Sequence, residues 1–235
     1  MDADEKVVVI TGATGNLGSV VTKKFAEAGH TLALAYHSQE KMDALSEKIP
    51  GADPLAVQCD VTNEQQVEAF MQQVHQELGG PDVLLNIAGG WAGGKSVAET
   101  PLDTWEQMMN LNLKSTFLCC KHALTYMLQQ DWGRIVNVSS KLAGDLPEQT
   151  SAYAVSKAGV DALTGCIAGE VKETGVSVVS VRPSIIDTSL NRKYMKNADY
   201  SKWIPPAEIA DVMLLLATDI GGEMNGAIIP LYGEL

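Results

Sequence analysis

Val7-Val8-Val9-Ile10-Thr11-Gly12-Ala13-Thr14-Gly15-Asn16-Leu17-Gly18 is the stretch on which the fold turns. Its four consecutive β-branched apolar residues read as a strand buried on both faces, as in a parallel sheet, because a strand with one wet face alternates. The glycines then stand where a tight turn, a close backbone approach to a phosphate and close helix packing each need one. A glycine turn by itself often only caps a helix. Here it follows the first strand and opens a helix that reaches Gly29, which favours a dinucleotide phosphate turn.

Outward from this unit, strands and helices alternate. Strands are expected at 31–36, 54–58, 83–86, 134–138, 177–181 and 227–231, and helices at 39–48, 63–78, 102–130, 153–173 and 206–218. This is the pattern of an α/β, Rossmann-type doubly wound parallel sheet of about seven strands, with right-handed crossovers and helices on both faces. No repeat, low-complexity tract or Pro/Ser linker divides the 235 residues, so a single domain is expected. Segment 182–203 reads as irregular, and a lid over a substrate is expected around 187–205.

Composition narrows the function. With 17 Lys+Arg against 29 Asp+Glu the net charge is −12, which argues against nucleic acid and anionic membrane as partners. The charged start from Met1 to Lys6 runs straight into the first strand, with no leader pattern and no apolar run of spanning length, so a cytoplasmic location is expected. Cys59, Cys119, Cys120 and Cys166 lack metal-ligand spacing; they are read as small reduced core residues, and no metal is expected.

The chemistry concentrates at Asn137-Val138-Ser139-Ser140 and Tyr153-Ala154-Val155-Ser156-Lys157. Tyr153 and Lys157 are four apart, hence on one helix face, where an ammonium favours the charged form of the phenol and makes it a usable acid. A plain helix-surface pair is the competing reading. Ser140, ending a β-branched strand, can hydrogen-bond the same substrate oxygen. Asn112, among Leu111, Leu113 and Phe117, needs internal partners, and either stitches its helix or holds a water. Asp60 ends a strand, as a turn cap or a ligand contact. In Ala88-Gly89-Gly90-Trp91-Ala92-Gly93-Gly94, small residues around one indole suggest backbone laid against a ligand, with Trp91 as a stacking face.

Taken together and in order, the glycine turn, Asn86-x-Ala88-Gly89, Asn112, Ser140 thirteen residues before Tyr153, Lys157, and Arg182-Pro183 with Thr188 resemble the short-chain dehydrogenase/reductase family over nearly the whole chain. The resemblance implies an NAD(P)(H)-dependent oxidoreductase that moves a hydride to or from a carbonyl/alcohol substrate. It implies Tyr153 as general acid/base, Lys157 holding the nicotinamide ribose and lowering the tyrosine pKa, Ser140 orienting the substrate oxygen, and Asn112 anchoring a water. For the cofactor it implies Gly12, Thr14, Asn16, Leu17 and Gly18 at the phosphate turn. Asp60 and Val61 would meet the adenine, and Asn86, Ala88 and Gly89 the adenosine ribose side. Pro183, Ile186 and Thr188 would lie near the nicotinamide, with Thr188 on the carboxamide. Two departures stand out: Asn16 where single-domain members carry Gly, and Ser184 where Gly usually follows the proline. The second strand ends in Tyr36-His37-Ser38 without an acid, so His37 and Ser38 leave the choice between NADP and NAD leaning slightly to NADP.

The Trp91 loop and Asp187-Thr188-x-x-Asn191-Arg192-Lys193-x-Met195 with Ser201-x-Trp203 are similar to loops of the quinonoid dihydropteridine reductases, which implies a pterin-like substrate as the alternative to a general carbonyl, with Trp91, Tyr194 and Trp203 as substrate contacts. That group lacks the catalytic serine and carries the missing second-strand acid. A non-catalytic dinucleotide sensor or structural subunit is the rival of another class; an intact Ser140, Tyr153 and Lys157 counts against it. The family also implies a homo-oligomer, tetramer or dimer, in which 228–233 packs either at an interface or on the protomer's own core.

Overall fold

In the computed structural model residues 5–235 are described; Met1 to Asp4, part of the charged start, lie outside the described residues. The strands are β1 Val7–Thr11, β2 Thr31–Tyr36, β3 Leu55–Gln58, β4 Val83–Asn86, β5 Gly133–Val138, β6 Val176–Pro183 and β7 Ile228–Leu231. They pair in parallel throughout, in the order β3-β2-β1-β4-β5-β6-β7. The helices are α1 Gly18–Glu27, α2 Gln39–Ser46, α3 Glu64–Leu78, α4 Leu102–Met108, α5 Ser115–Met127, α6 Leu142–Asp145, α7 Ser151–Val171, α8 Ser189–Tyr194, α9 Pro206–Leu216 and α10 Asp219–Gly222.

The apolar run of β1 is buried because both sheet faces are covered. Val8 and Ile10 point into one core with Phe25, Met42, Ile209 and Met213 from α1, α2 and α9. Val9 points into the other with Phe70, Met71, Leu118 and Ile167 from α3, α5 and α7. Strand order reverses between β1 and β4, which opens a crevice at the carboxyl ends of the strands. Register keeps those ends level: Thr11 lies beside Asn86, Asn86 beside Asn137 and Val138 beside Val181.

Three expectations need correction. The single helix over 102–130 is broken by a π-helical segment, Met109–Lys114, between α4 and α5. A widened turn leaves the apolar pattern almost unchanged, so periodicity does not show it. Segment 182–203 is not irregular: β6 extends to Pro183, Ile186 bridges to Ile204, and α8 is capped by Thr188, whose Oγ1 accepts from Asn191 N at 3.2 Å. Cys166 is exposed, unlike the buried Cys59, Cys119 and Cys120, because it falls on the outer side of α7. The 228–233 segment adds β7 to the edge of the protomer's own sheet. Among the described residues no helix is long and apolar enough to cross a membrane, and no cluster of metal-ligating side chains occurs.

Candidate active site

The crevice is built by side chains that join neighbouring strand ends. Thr11 Oγ1, at the end of β1, accepts from Ile87 N at 3.1 Å and Ala88 N at 3.2 Å and so draws the loop after β4 against the glycine turn. Gly12 has φ +66, and a Cβ there would lie 2.8 Å from Ala88 Cα; at Gly18 it would lie 2.1 Å from Gly12 O. Any side chain at these two positions would force the turn apart. Asn16, the departure from the single-domain pattern, is exposed, and neither its backbone nor its surroundings demand glycine. Helix α1 begins at Leu17 without a side-chain cap or an acid in its first turn, leaving amide donors for an anion.

Asn112 is fully buried within the π segment. Its Oδ1 accepts from Gly90 N at 2.8 Å, and its Nδ2 donates to Gly90 O at 3.1 Å and Ser156 Oγ at 2.9 Å. It therefore stitches the loop after β4 to α7, a third outcome beside the two expected of it. Its own carbonyl accepts from Thr116 Oγ1 at 2.8 Å.

Tyr153 and Lys157 lie on the first turns of α7, over the end of β5. Burial raises the phenol pKa of Tyr153, and the nearby Ser140 hydroxyl opposes that shift. Lys157 is buried and donates to Val138 O at 2.6 Å. Burial lowers its pKa to about 8, against the opposing pull of Asp161. The lowered tyrosine pKa expected beside the lysine is not found: burial is the largest influence on Tyr153 and raises it. Gly89 sits beside this amine, since a Cβ there would lie 2.9 Å from Asn112 Oδ1 and 3.3 Å from Lys157 Nζ. Ser139 is turned away, donating to Asp161 Oδ2 at 2.9 Å and Lys157 O at 3.1 Å, which leaves Ser140 as the serine facing the tyrosine.

Other expected contacts are placed unevenly. Asn86, read as touching a ribose, points into the sheet instead, where Nδ2 donates to Asn137 Oδ1 at 2.9 Å. Its position between β1 and β5 gives the side chain no route to the crevice surface. Asp60 caps its own turn, accepting from Thr62 N and Oγ1 at 2.9 and 2.8 Å, and these bonds hold its carboxyl below the usual range. Val61 is buried beside it. Ser38 caps α2 through Lys41 N, His37 is exposed, and Tyr36 donates to Gln39 Oε1 at 2.6 Å. Pro183 is buried at the end of β6, with Ile186 and Thr188 partly exposed beyond it. Thr14 is partly buried in the glycine turn.

On the rim, Trp91 is 62 % exposed and lines a cavity of about 320 Å³ with Lys95, Thr104, Gln149 and Ser151. Tyr194 is 77 % exposed at the end of α8. Trp203, expected as a substrate contact, is only 4 % exposed and packs against Tyr200 at 4.7 Å between ring centres; it is a packing residue because the Ile186 to Ile204 bridge folds it inward. Reading of the sequence missed Thr11 and Asp161. The signal for Asp161 was present: an acid one turn beyond Lys157, on the same helix face as Tyr153 and Lys157.

The short chain dehydrogenase model matches residues 6–199. The chain belongs to this family. It is 34 % identical to meso-2,3-butanediol dehydrogenase of Serratia marcescens, over 99 % of this chain and 95 % of that one. It is 29 % identical to an uncharacterized oxidoreductase of Staphylococcus aureus, over 91 % of each. Levodione reductase superposes with a TM-score of 0.91 at 27 % identity, covering 97 % of this chain and 96 % of that one. The structure described as ElxO with NADP bound gives 0.91 at 25 %, covering 97 % and 98 %. These relatives make the chain a short-chain oxidoreductase, of a family that binds NAD(P) and acts on small molecules. The likeness to the dihydropteridine reductases finds no support among them.

Proposed function

We propose that this oxidoreductase interconverts a small carbonyl compound and its alcohol with NAD(P)(H), Tyr153 acting as general acid and base. The observation that carries the reading is Tyr153 and the buried Lys157 one turn apart on α7, with Ser140 just beyond β5, at the carboxyl ends of the strands of a sheet whose order reverses. The uncapped start of α1 fits a dinucleotide phosphate, and Gly12 and Gly18 let the turn before it close tightly on its own backbone and on Ala88. Gly12 to Gly18 would hold its phosphates, Asp60 and Val61 its adenine, Lys157 its ribose, and Ile186 and Thr188 its nicotinamide end.

When bound, the nicotinamide supplies or accepts the hydride. Tyr153 gives its phenolic proton to the carbonyl oxygen, so that one hydride and one proton convert C=O to CH–OH, and the same phenolate recovers a proton for the next turnover. Ser140 donates to that oxygen and fixes it near the phenol. Lys157 in its ammonium form offsets the burial that otherwise opposes phenolate formation. The single domain spans residues 1–235, with α8 and the Ile186 to Ile204 bridge as the substrate cover.

NADP(H) is the preferred cofactor on this reading. Tyr36, His37 and Ser38 close β2 without a carboxylate, so a 2′-phosphate meets no repulsion there. The relatives favour vicinal diol, diketone and cyclic ketone substrates. The deciding assay is oxidation of NADPH and NADH, separately, with acetoin, diacetyl, a cyclic diketone and a quinonoid pterin. Turnover of the ketones, faster with NADPH, is expected. Nucleotide binding without turnover of any substrate would favour the sensor reading instead.

A further inference from the structure

We infer that Asp161 is a positioning residue for the reaction: it clamps the ends of β5 and β6 to α7 and so sets the alignment of Ser140, Tyr153 and Lys157. The inference rests on the proposed roles of those three residues. The Asp161 side chain is only 5 % exposed, yet it faces three donors from two strands. Oδ2 accepts from Ser139 Oγ at 2.9 Å and Arg182 Nε at 2.7 Å, and Oδ1 accepts from Ser180 Oγ at 2.6 Å. Ser139 directly precedes Ser140, and its hydroxyl also donates to the carbonyl of Lys157. A shift of the carboxylate is therefore transmitted to Ser140 on one side and to the Lys157 turn on the other.

Arg182 extends the clamp. Its guanidinium lies under α6, where a Cβ at Gly144 would come within 3.0 Å of Nη1, and it also feels the Tyr232 hydroxyl in the C-terminal segment. Ser184, the unusual residue after Pro183, donates to Tyr232 O at 2.7 Å and ties that same segment to the end of β6. The loop carrying Ser140 is thus held from below by a buried acid and from the side by the chain end.

Charge makes the role more than mechanical. Lys157 is faced by Tyr153 and Asp161 from its own helix, by Val138 O from β5, and by the uncharged Gly89 and Asn112 from the loop after β4 and the π segment. Of these, Asp161 is the group that favours its ammonium against burial. Arg182, across the carboxylate, is held charged by the same acid. An Asp161→Asn variant keeps the shape and removes the charge.

The test follows the Lys157 side chain by NMR of lysine-labelled apoprotein, with the resonance assigned by Lys157→Met, alongside pH profiles of carbonyl reduction. Asp161→Asn is expected to lower the Lys157 midpoint by about one unit, to move the alkaline limb of kcat the same way, and to cut kcat about tenfold or more with KM little changed. Ser139→Ala, which keeps the charge, is expected to lower kcat while leaving the midpoint in place. An unmoved midpoint in Asp161→Asn overturns the inference, even with a lowered Tm, because a purely structural acid behaves that way. If Asp161→Asn does not fold, an unchanged kcat in Ser139→Ala overturns it. A wild-type chain that reduces no carbonyl defeats the functional reading alone, since the midpoint is read without turnover.

Discussion

The floor of the crevice and its rim are built on opposite terms. On the floor, Asn112, Ser139, Lys157 and Asp161 are buried, and each is bonded to backbone or side chains of at least one other element. On the rim, Trp91 and Tyr194 are exposed, and the loop after β4 is pinned beyond Trp91 by one bond, Gly94 N to Gln149 O at 2.7 Å. A buried polar group left without a partner costs about 1–3 kcal/mol, so the floor can take few arrangements. The rim carries no such penalty. On the proposed function, packing fixes how a proton is moved, and exposed loops decide on which molecule.

The largest effect that separates the two regions belongs to the floor. On the proposed mechanism Tyr153→Phe removes the proton source and little volume, so turnover is expected to fall by roughly 10²–10⁴-fold with cofactor affinity and Tm retained. Steady-state kinetics with a titration of NADPH fluorescence checks it; turnover within tenfold of wild type would place the acid elsewhere.

Next come the two tryptophans, which the sequence presented as equivalents. Trp203 is packed inside the segment that covers the crevice, so Trp203→Ala is expected to cost roughly 3–5 kcal/mol of stability, read as a lowered urea midpoint. A midpoint equal to wild type would return Trp203 to the rim.

Lys157 offers a subtler contrast, because its stability and its function run in opposite directions with pH. Its folded pKa of about 8 lies below the ordinary value of 10.5. Below pH 8 both folded and unfolded chains hold the proton, and the folded chain bears the whole cost of burying it. From pH 8 upward the unfolded chain holds more protons, so this group's contribution to stability rises with pH. The ammonium that is proposed to hold the cofactor ribose is lost over the same range. Lys157→Met is therefore expected to raise Tm at pH 7, by about 2–4 °C per kcal/mol, and to gain much less at pH 9.5, while NADPH affinity falls at both. A lower Tm at pH 7 would mean that the bond to Val138 O outweighs desolvation.

How much of this was legible follows the same division. The parallel sheet could be read from Val7 to Ile10 and the alternation after it, because burial on both faces leaves a continuous apolar run. The Ser140, Tyr153 and Lys157 positions could be read because spacing along a strand end and one helix face is local. Three features were hidden because they depend on what lies across the fold. Asn86 carries the same amide whether it faces a ligand or Asn137, and only the register of β4 against β5 decides. The π segment at Asn112 adds a widened turn that apolar spacing tolerates. Trp203 has the composition of a lid residue until the bridge from Ile186 to Ile204 folds it in. Asp161 was visible as an acid on the helix face of Tyr153 and Lys157, but its donors come from β6 and from Ser139 just beyond β5, more than fifteen residues away in the chain.

The smallest effect sharpens the rim. Trp91 is mostly in solvent, between glycines, so Trp91→Ala removes little packing and is expected to leave Tm within about a degree, as exposed substitutions usually do. If the indole serves as a stacking face, its loss should raise KM for a cyclic diketone or a pterin by about threefold to tenfold and leave acetoin nearly untouched, because an acyclic ketone presents no flat surface to the ring. kcat should hold for all of them, since the floor is unaltered. An equal rise for acetoin would mean that Trp91 shapes the entrance rather than recognising planarity, and a fall in kcat would mean that its loop reaches the floor through the bonds between Gly90 and Asn112.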